Sequence, residues 1–169
     1  MTPLKPFRPA TGLANPNLQT IVSSVGRKFF KPAWLSDFDL QSELRDIHVQ
    51  GQHLTAQYDR ASNANAPLVM IIHGWLGSAE STYVVSAAHA LHEAGFHVVR
   101  LTLRDHGNTA NLNPGLFHSA MTDEVVAAAQ FVMNDFDRSE AGLLGFSMGG
   151  NFALRLAAEL PQLRTLAIC

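Results

Sequence analysis

Polar and apolar positions along the chain fall into short blocks of different period. Between Glu43 and Gln50 polar residues alternate with Leu44, Ile47 and Val49, and after Gly51-Gln52 the alternation resumes through Leu54, Ala56 and Tyr58. Two half-apolar runs around a glycine predict a β-hairpin. The pattern then changes. Leu68-Val69-Met70-Ile71-Ile72 is continuously apolar, as are Phe96 to Leu103, Ala141 to Leu144 and the run starting at Thr165. Runs of this kind mark strands buried on both faces, as in parallel sheets covered by helices. Between them lie helical blocks, roughly Ser81 to Glu93, Asp123 to Phe136 and Met148 to Leu160. In the second, Val125, Val126, Ala129, Val132, Met133 and Phe136 recur at helical spacing, and Thr122 is a candidate N-cap.

The predicted order is therefore a β-hairpin followed by βαβαβαβ. Alternating strands and helices imply an α/β domain with a mostly parallel sheet, over residues 36–169. Residues 1–35 read differently. Pro3, Pro6, Pro9 and Pro16 oppose a long helix, while Leu18, Ile21, Val22, Phe29, Phe30 and Trp34 oppose a solvated tail. An extended N-terminal arm is the expectation.

Composition narrows the function. The 169 residues are 47% hydrophobic and 15% charged, with a net charge of −2. That balance gives no electrostatic reason to expect nucleic acid as a partner. The one cysteine, Cys169, can form no disulfide within the chain and suits a reducing cytoplasm. The basic, Pro-rich start lacks the apolar core of a secretory signal, and no apolar run is long enough to span a membrane.

Chemistry enters at Gly145-Phe146-Ser147-Met148-Gly149. A G-x-S-x-G string arises by chance in roughly one chain in twenty of this length. Here it stands between a predicted strand and a predicted helix, the context of a nucleophile elbow. Ser147 is the candidate nucleophile. The Met148 backbone N–H, at the helix start, is a candidate oxyanion donor. The second donor belongs in the loop after an earlier strand, where His73-Gly74-Trp75 stands, and the Trp75 backbone N–H is assigned to it.

Three segments carry a family resemblance: Asn15-Pro16-Asn17-Leu18-Gln19-Thr20-Ile21, His73-Gly74-Trp75-Leu76-Gly77-Ser78, and Gly145-Phe146-Ser147-Met148-Gly149-Gly150-Asn151. Together they resemble the AB hydrolase superfamily, and within it the type 4, YheT-like branch. The resemblance implies the N-terminal portion of an α/β-hydrolase fold, cut short before the last strands. It also implies a serine hydrolase that cleaves acyl or lipid esters through an acyl-enzyme, with His73 bracing the oxyanion loop. The family's catalytic Asp and His follow later strands and have no counterpart here. A non-catalytic fragment is therefore the alternative, and acyltransferase or thioesterase chemistry could use the same elbow. Asp105-His106 stands where the family has no triad member and reads as loop or pocket lining. His89, His92 and His97 lack accompanying carboxylates or thiolates and read as a solvated face rather than a metal site. No phosphate-binding glycine motif is present, so no cofactor is implied. The last strand is expected to be an exposed apolar edge able to self-associate.

Overall fold

The computed structural model describes residues 8–29 and 33–168. The chain divides into two units, Met1–Ala33 and Trp34–Cys169. The first contains helix α1, Pro16–Phe29, where the sequence predicted an extended arm. The reason is positional. Pro16 occupies the first turn, where a missing N–H breaks no intrahelical bond. Asn15 stands before it, and its Oδ1 accepts the Asn17 and Leu18 N–H groups at 2.9 and 3.3 Å. The remaining prolines precede the helix and do not oppose it. Residues 1–7 and 30–32, including Phe30, lie outside the described residues.

The second unit starts at Trp34, within α2, Ala33–Leu40, and then builds a six-stranded sheet. Strands β1, Glu43–Val49, and β2, Gln52–Asp59, form the expected antiparallel hairpin. Its two-residue turn has positive φ at Gln50 and Gly51, 50° and 72°, which matches the right-handed twist of the strands. Next come β3, Leu68–Ile72; α3, Thr82–Glu93; and β4, His97–Thr102. A single 3-10 turn, Gly107–Thr109, precedes α4, Thr122–Asp135. The chain continues through β5, Ala141–Phe146; α5, Met148–Glu159; and β6, Leu163–Ile168. Thr122 proves to be the first residue of α4 rather than its cap, and Met121 holds the cap position without a side-chain bond.

The strand order is β1-β2-β4-β3-β5-β6, with β4, β3, β5 and β6 parallel. From β3 the chain crosses to β4 on one side, then passes back beyond β3 to β5 on the other. The loops after β3 and β5 therefore diverge at neighbouring strand ends, the place where open α/β sheets form a ligand crevice. Alternating residues of the strands feed two cores. Met70, Ile72, Val99, Leu101 and Leu143 pack with Val125 and Val132 of α4 and with Phe152 and Leu156 of α5. Ile71, Val98 and Leu144 pack with Val84 and Ala88 of α3.

The outer strand β6 differs from the central ones. The expectation of a buried strand holds only for one of its faces, since Leu166 and Ile168 are 62% and 45% exposed. It begins at Leu163, ahead of Thr165, and Cys169 lies outside the described residues. No helix of the described residues is long and apolar enough to cross a membrane.

One charged side chain is locked inside this sheet. Arg100, in β4, is completely buried. Its Nε donates to Asp59 Oδ2 at 2.8 Å, and Nη2 donates to Asp59 Oδ1 and to Ser42 Oγ. Nη1 donates to Asp39 Oδ1 at 2.7 Å and to the Ala79 carbonyl at 2.9 Å. All five N–H groups are thus used, and β4, β2, α2 and the loop before α3 are joined at one point. Removing one partner of a buried pair leaves the other charge uncompensated. Arg100→Leu is expected to destabilise the domain by about 3–5 kcal/mol in urea unfolding. A loss indistinguishable from that of a surface substitution would show that the network contributes little.

Candidate functional site

At the β5–α5 junction the backbone turns sharply. Ser147 is exposed and adopts φ 53° and ψ −115°, a sparsely populated conformation for a side-chain-bearing residue. Its N–H donates to the Ile168 carbonyl of β6 at 3.0 Å, and its own carbonyl accepts the Asn151 N–H at 3.1 Å, opening α5. The glycines on either side are required by space. A Cβ on Gly145 would lie 2.2 Å from the Gly149 carbonyl oxygen. A Cβ on Gly149 would lie 2.2 Å from the Ile72 carbonyl oxygen and 2.5 Å from that of His73. No L side chain fits at either place.

The loop after β3 lies directly against this corner. A Cβ on Gly74 would stand 3.3 Å from Ser147 Cβ and 3.2 Å from the Phe146 carbonyl oxygen. Ser147, Met148 and the loop that carries Trp75 are thereby brought together at the ends of β3 and β5. Met148 is the first residue of α5, where the backbone N–H has no intrahelical acceptor. The Trp75 N–H likewise meets no acceptor of the protein among the described residues. The Trp75 ring is 59% exposed and meets His106 edge-on, with the ring centroids 5.6 Å apart.

Two side chains hold the loop in place. His73 is fully buried. Its Nε2 lies 3.1 Å from the Leu103 N–H and can only accept there, so the ring proton sits on Nδ1 and is donated to the Gly74 carbonyl at 2.7 Å. Burial, with His106 nearby as a smaller cause, lowers its pKa from 6.5 to about 4. His73 is thus a neutral tie between the loop and the end of β4, and both ring nitrogens are already committed. Tyr83, in the first turn of α3, accepts the Gly74 N–H at its hydroxyl oxygen, 2.9 Å away. Its ring also meets Phe146 edge-on at 4.9 Å. Sequence reasoning passed over Tyr83, because one aromatic residue in a helix gives no sign of the loop it will touch.

The other histidines have separate surroundings. His106 is buried among His73, Trp75 and Phe117; its Nδ1 donates to the Arg104 carbonyl, and its Nε2 has no partner among the described residues. Asp105 turns away from it and accepts the Phe117 N–H at 2.6 Å, so no Asp105–His106 pair forms. His89 and His92 do not make the expected solvated face: both rings pack on Phe38, and His89 also packs on Trp34. His97 accepts the Ala61 N–H at Nδ1 and donates to the Ala64 carbonyl from Nε2. No imidazole or carboxylate hydrogen-bonds the Ser147 hydroxyl among the described residues.

Comparisons with known proteins bear on this arrangement. The family defined by the alpha/beta hydrolase fold matches residues 67–166. A Haemophilus influenzae protein, named provisionally as an esterase/lipase, is 29% identical over 99 residues, covering 59% of this chain and 32% of that protein. An Escherichia coli protein, named provisionally as the esterase YheT, is 25% identical over 155 residues, covering 90% of this chain and 44% of that protein. The chain thus spans less than half the length of these relatives. Among solved structures, an a/b serine hydrolase without lid from Xanthomonas campestris superposes with a TM-score of 0.58 at 27% identity, covering 73% of this chain and 60% of the other.

The neutral state of His73 makes stability depend on pH. Its pKa is lowered in the folded state, so between 6.5 and about 4 the unfolded chain binds more protons than the folded one. Its contribution is fully present above 6.5 and is lost as the pH falls toward 4. The loss expected from this group is on the order of 3 kcal/mol. Urea unfolding of the wild type and His73→Gln from pH 7 to pH 4 measures it. Equal slopes in the two proteins would show that another group governs the acid side.

Proposed function

The chain belongs to the alpha/beta hydrolase fold family, and from that premise we propose that it carries the nucleophile and oxyanion hole of a serine hydrolase acting on carboxylic esters. The observation that carries the reading is the strained, exposed Ser147 at the β5–α5 corner, with the loop after β3 packed against it. The esterase names of the relatives and the serine hydrolase among the similar structures support the same chemistry.

In the proposed reaction Ser147 Oγ attacks the acyl carbonyl carbon while its proton passes to a general base. The carbonyl oxygen becomes an oxyanion held by the Met148 and Trp75 backbone N–H groups. The tetrahedral intermediate collapses, and the alcohol leaves with a proton. Water then attacks the acyl-enzyme and releases the carboxylic acid, restoring Ser147. The substrate is an acyl or lipid ester, and the single cysteine suits work in a reducing cytoplasm. In the type 4 branch that the motifs resemble, the base and its carboxylate follow later strands.

A second reading is favoured by the Ser147 hydroxyl, which meets no hydrogen-bond partner among the described residues. In it these residues form a folded but inert half of the site. A fluorophosphonate probe separates the two readings. Rapid stoichiometric labelling, abolished in Ser147→Ala, is expected of a working nucleophile. A folded sample that stays unlabelled would rule out autonomous catalysis.

We further propose that the open face of β6 packs against a second copy of this chain, since its Leu166 and Ile168 side chains are exposed there. Light scattering is expected to show concentration-dependent association that Leu166→Lys reduces. A monodisperse monomer at all concentrations would refute it.

A further inference from the structure

Helix α1 treats its apolar residues differently from the helices on the sheet. Those helices bury theirs, among them Val84 and Ala88 in α3, Val125 and Val132 in α4, and Phe152 and Leu156 in α5. In α1, Leu18, Ile21 and Val22 stand at i, i+3 and i+4, share one face, and are 41%, 58% and 44% exposed. Val25 and Phe29 continue the same spacing in the sequence. With 14 residues, α1 has a length at which a helix alone is marginal in water, and covering an apolar face of this kind stabilises it.

Charge identifies what covers that face. The net charge of −2 is unevenly spread along the chain. Lys5, Arg8, Arg27, Lys28 and Lys31 lie before, within and after α1, and no acidic residue precedes Asp37. All 14 acidic residues follow from there, against seven of the 12 basic ones. An apolar face bordered by cations, with no anion among them, complements a surface that is apolar beneath and negative above. The interface of an anionic lipid bilayer has both properties. A groove in a folded protein would need anions fixed in register with each cation, whereas lipid headgroups diffuse laterally to meet them. Length decides how the helix sits. At 1.5 Å per residue α1 is about 21 Å long, and crossing the hydrocarbon core takes about 20 residues, so the helix lies flat.

We propose that α1 is a surface anchor that lies in the headgroup layer of an anionic bilayer. Leu18, Ile21 and Val22 enter the boundary of the acyl chains, and the positive charges around the helix attract lipid phosphates. Ser147 takes no part, so the anchor stands or falls independently of ester hydrolysis.

Flotation of the full chain with vesicles tests it. The vesicles are phosphatidylcholine alone and phosphatidylcholine with phosphatidylglycerol in equal parts. The chain is expected to float with the anionic vesicles and hardly with the neutral ones. Raising the salt from about 0.1 M to about 1 M should release it, as the Debye length falls from about 10 to about 3 Å. Ile21→Gln should lower the partition coefficient about tenfold, because an exposed apolar side chain no longer gains burial. Lys28→Gln should lower it about fivefold, the worth of one cation at the membrane surface, and keeps the test available if the first variant fails to fold. Leu166→Gln, which alters the exposed face of β6, should leave it unchanged. Equal flotation with neutral vesicles, flotation indifferent to Ile21→Gln, flotation lost in Leu166→Gln, or no flotation with either vesicle, as for a helix that docks on protein, would overturn the proposal.

Discussion

At the crossing of α5 over β3 the two backbones approach so closely that only hydrogen fits on the α5 side. The Gly149 α-carbon rests against the carbonyls of Ile72 and His73, and Gly145 sits as tightly against the first turn of α5. The rest of the candidate site follows from that contact. Bringing a helix so near the sheet forces a short, sharp corner, and the residue at its apex takes the strained backbone conformation seen at Ser147. A conformation of this kind costs on the order of 1–3 kcal/mol and persists only where its surroundings impose it. Those surroundings include β6, whose Ile168 carbonyl accepts the Ser147 N–H. The edge strand therefore helps to shape the corner while its other face lies open.

Two buried polar residues then support the site in opposite ways. His73 is held neutral, because burial opposes its charged form and both ring nitrogens have suitable backbone partners without it. The Arg100 guanidinium, equally buried, has two carboxylates, a hydroxyl and a carbonyl meeting its five N–H groups. The first joins the loop after β3 to the end of β4. The second joins β4 to α2 and to the loop that leads into α3. With Tyr83 on the Gly74 amide, the loop carrying Trp75 is tied at several points before any substrate is present. In the proposed oxyanion hole such fixation would orient the donors in advance.

The site was legible in part because some of its constraints are local. Glycines at 145 and 149 around a serine, between an apolar run and a helix, state a steric requirement that can be read without coordinates. The α/β-hydrolase expectation rested on that string, on His73-Gly74 and on the Asn15 to Ile21 segment, and the fold holds. The N-terminal segment shows the limit of a purely local rule. Its prolines suggested an extended arm, yet Pro16 stands at a position where proline favours a helix, with Asn15 capping it. Thr122 was misjudged for a related reason. A cap is defined by the backbone conformation of one residue, and sequence locates a helix start only to within a residue or two.

What the sequence determined by itself was the order of strands and helices from Glu43 onward, the hairpin, and the glycine-flanked serine. Each depends on side-chain period or on backbone sterics within a few neighbouring residues. Only the tertiary structure decided the strand order in which β3 lies between β4 and β5, and hence that the loop after β3 meets Ser147. It alone decided that Arg100 would find Asp59, 41 residues away, and that His73 would find Leu103, 30 residues away. These are partnerships between segments far apart in the chain. A polar residue in an apolar run does not disclose which distant group will satisfy it until the sheet has brought the two together.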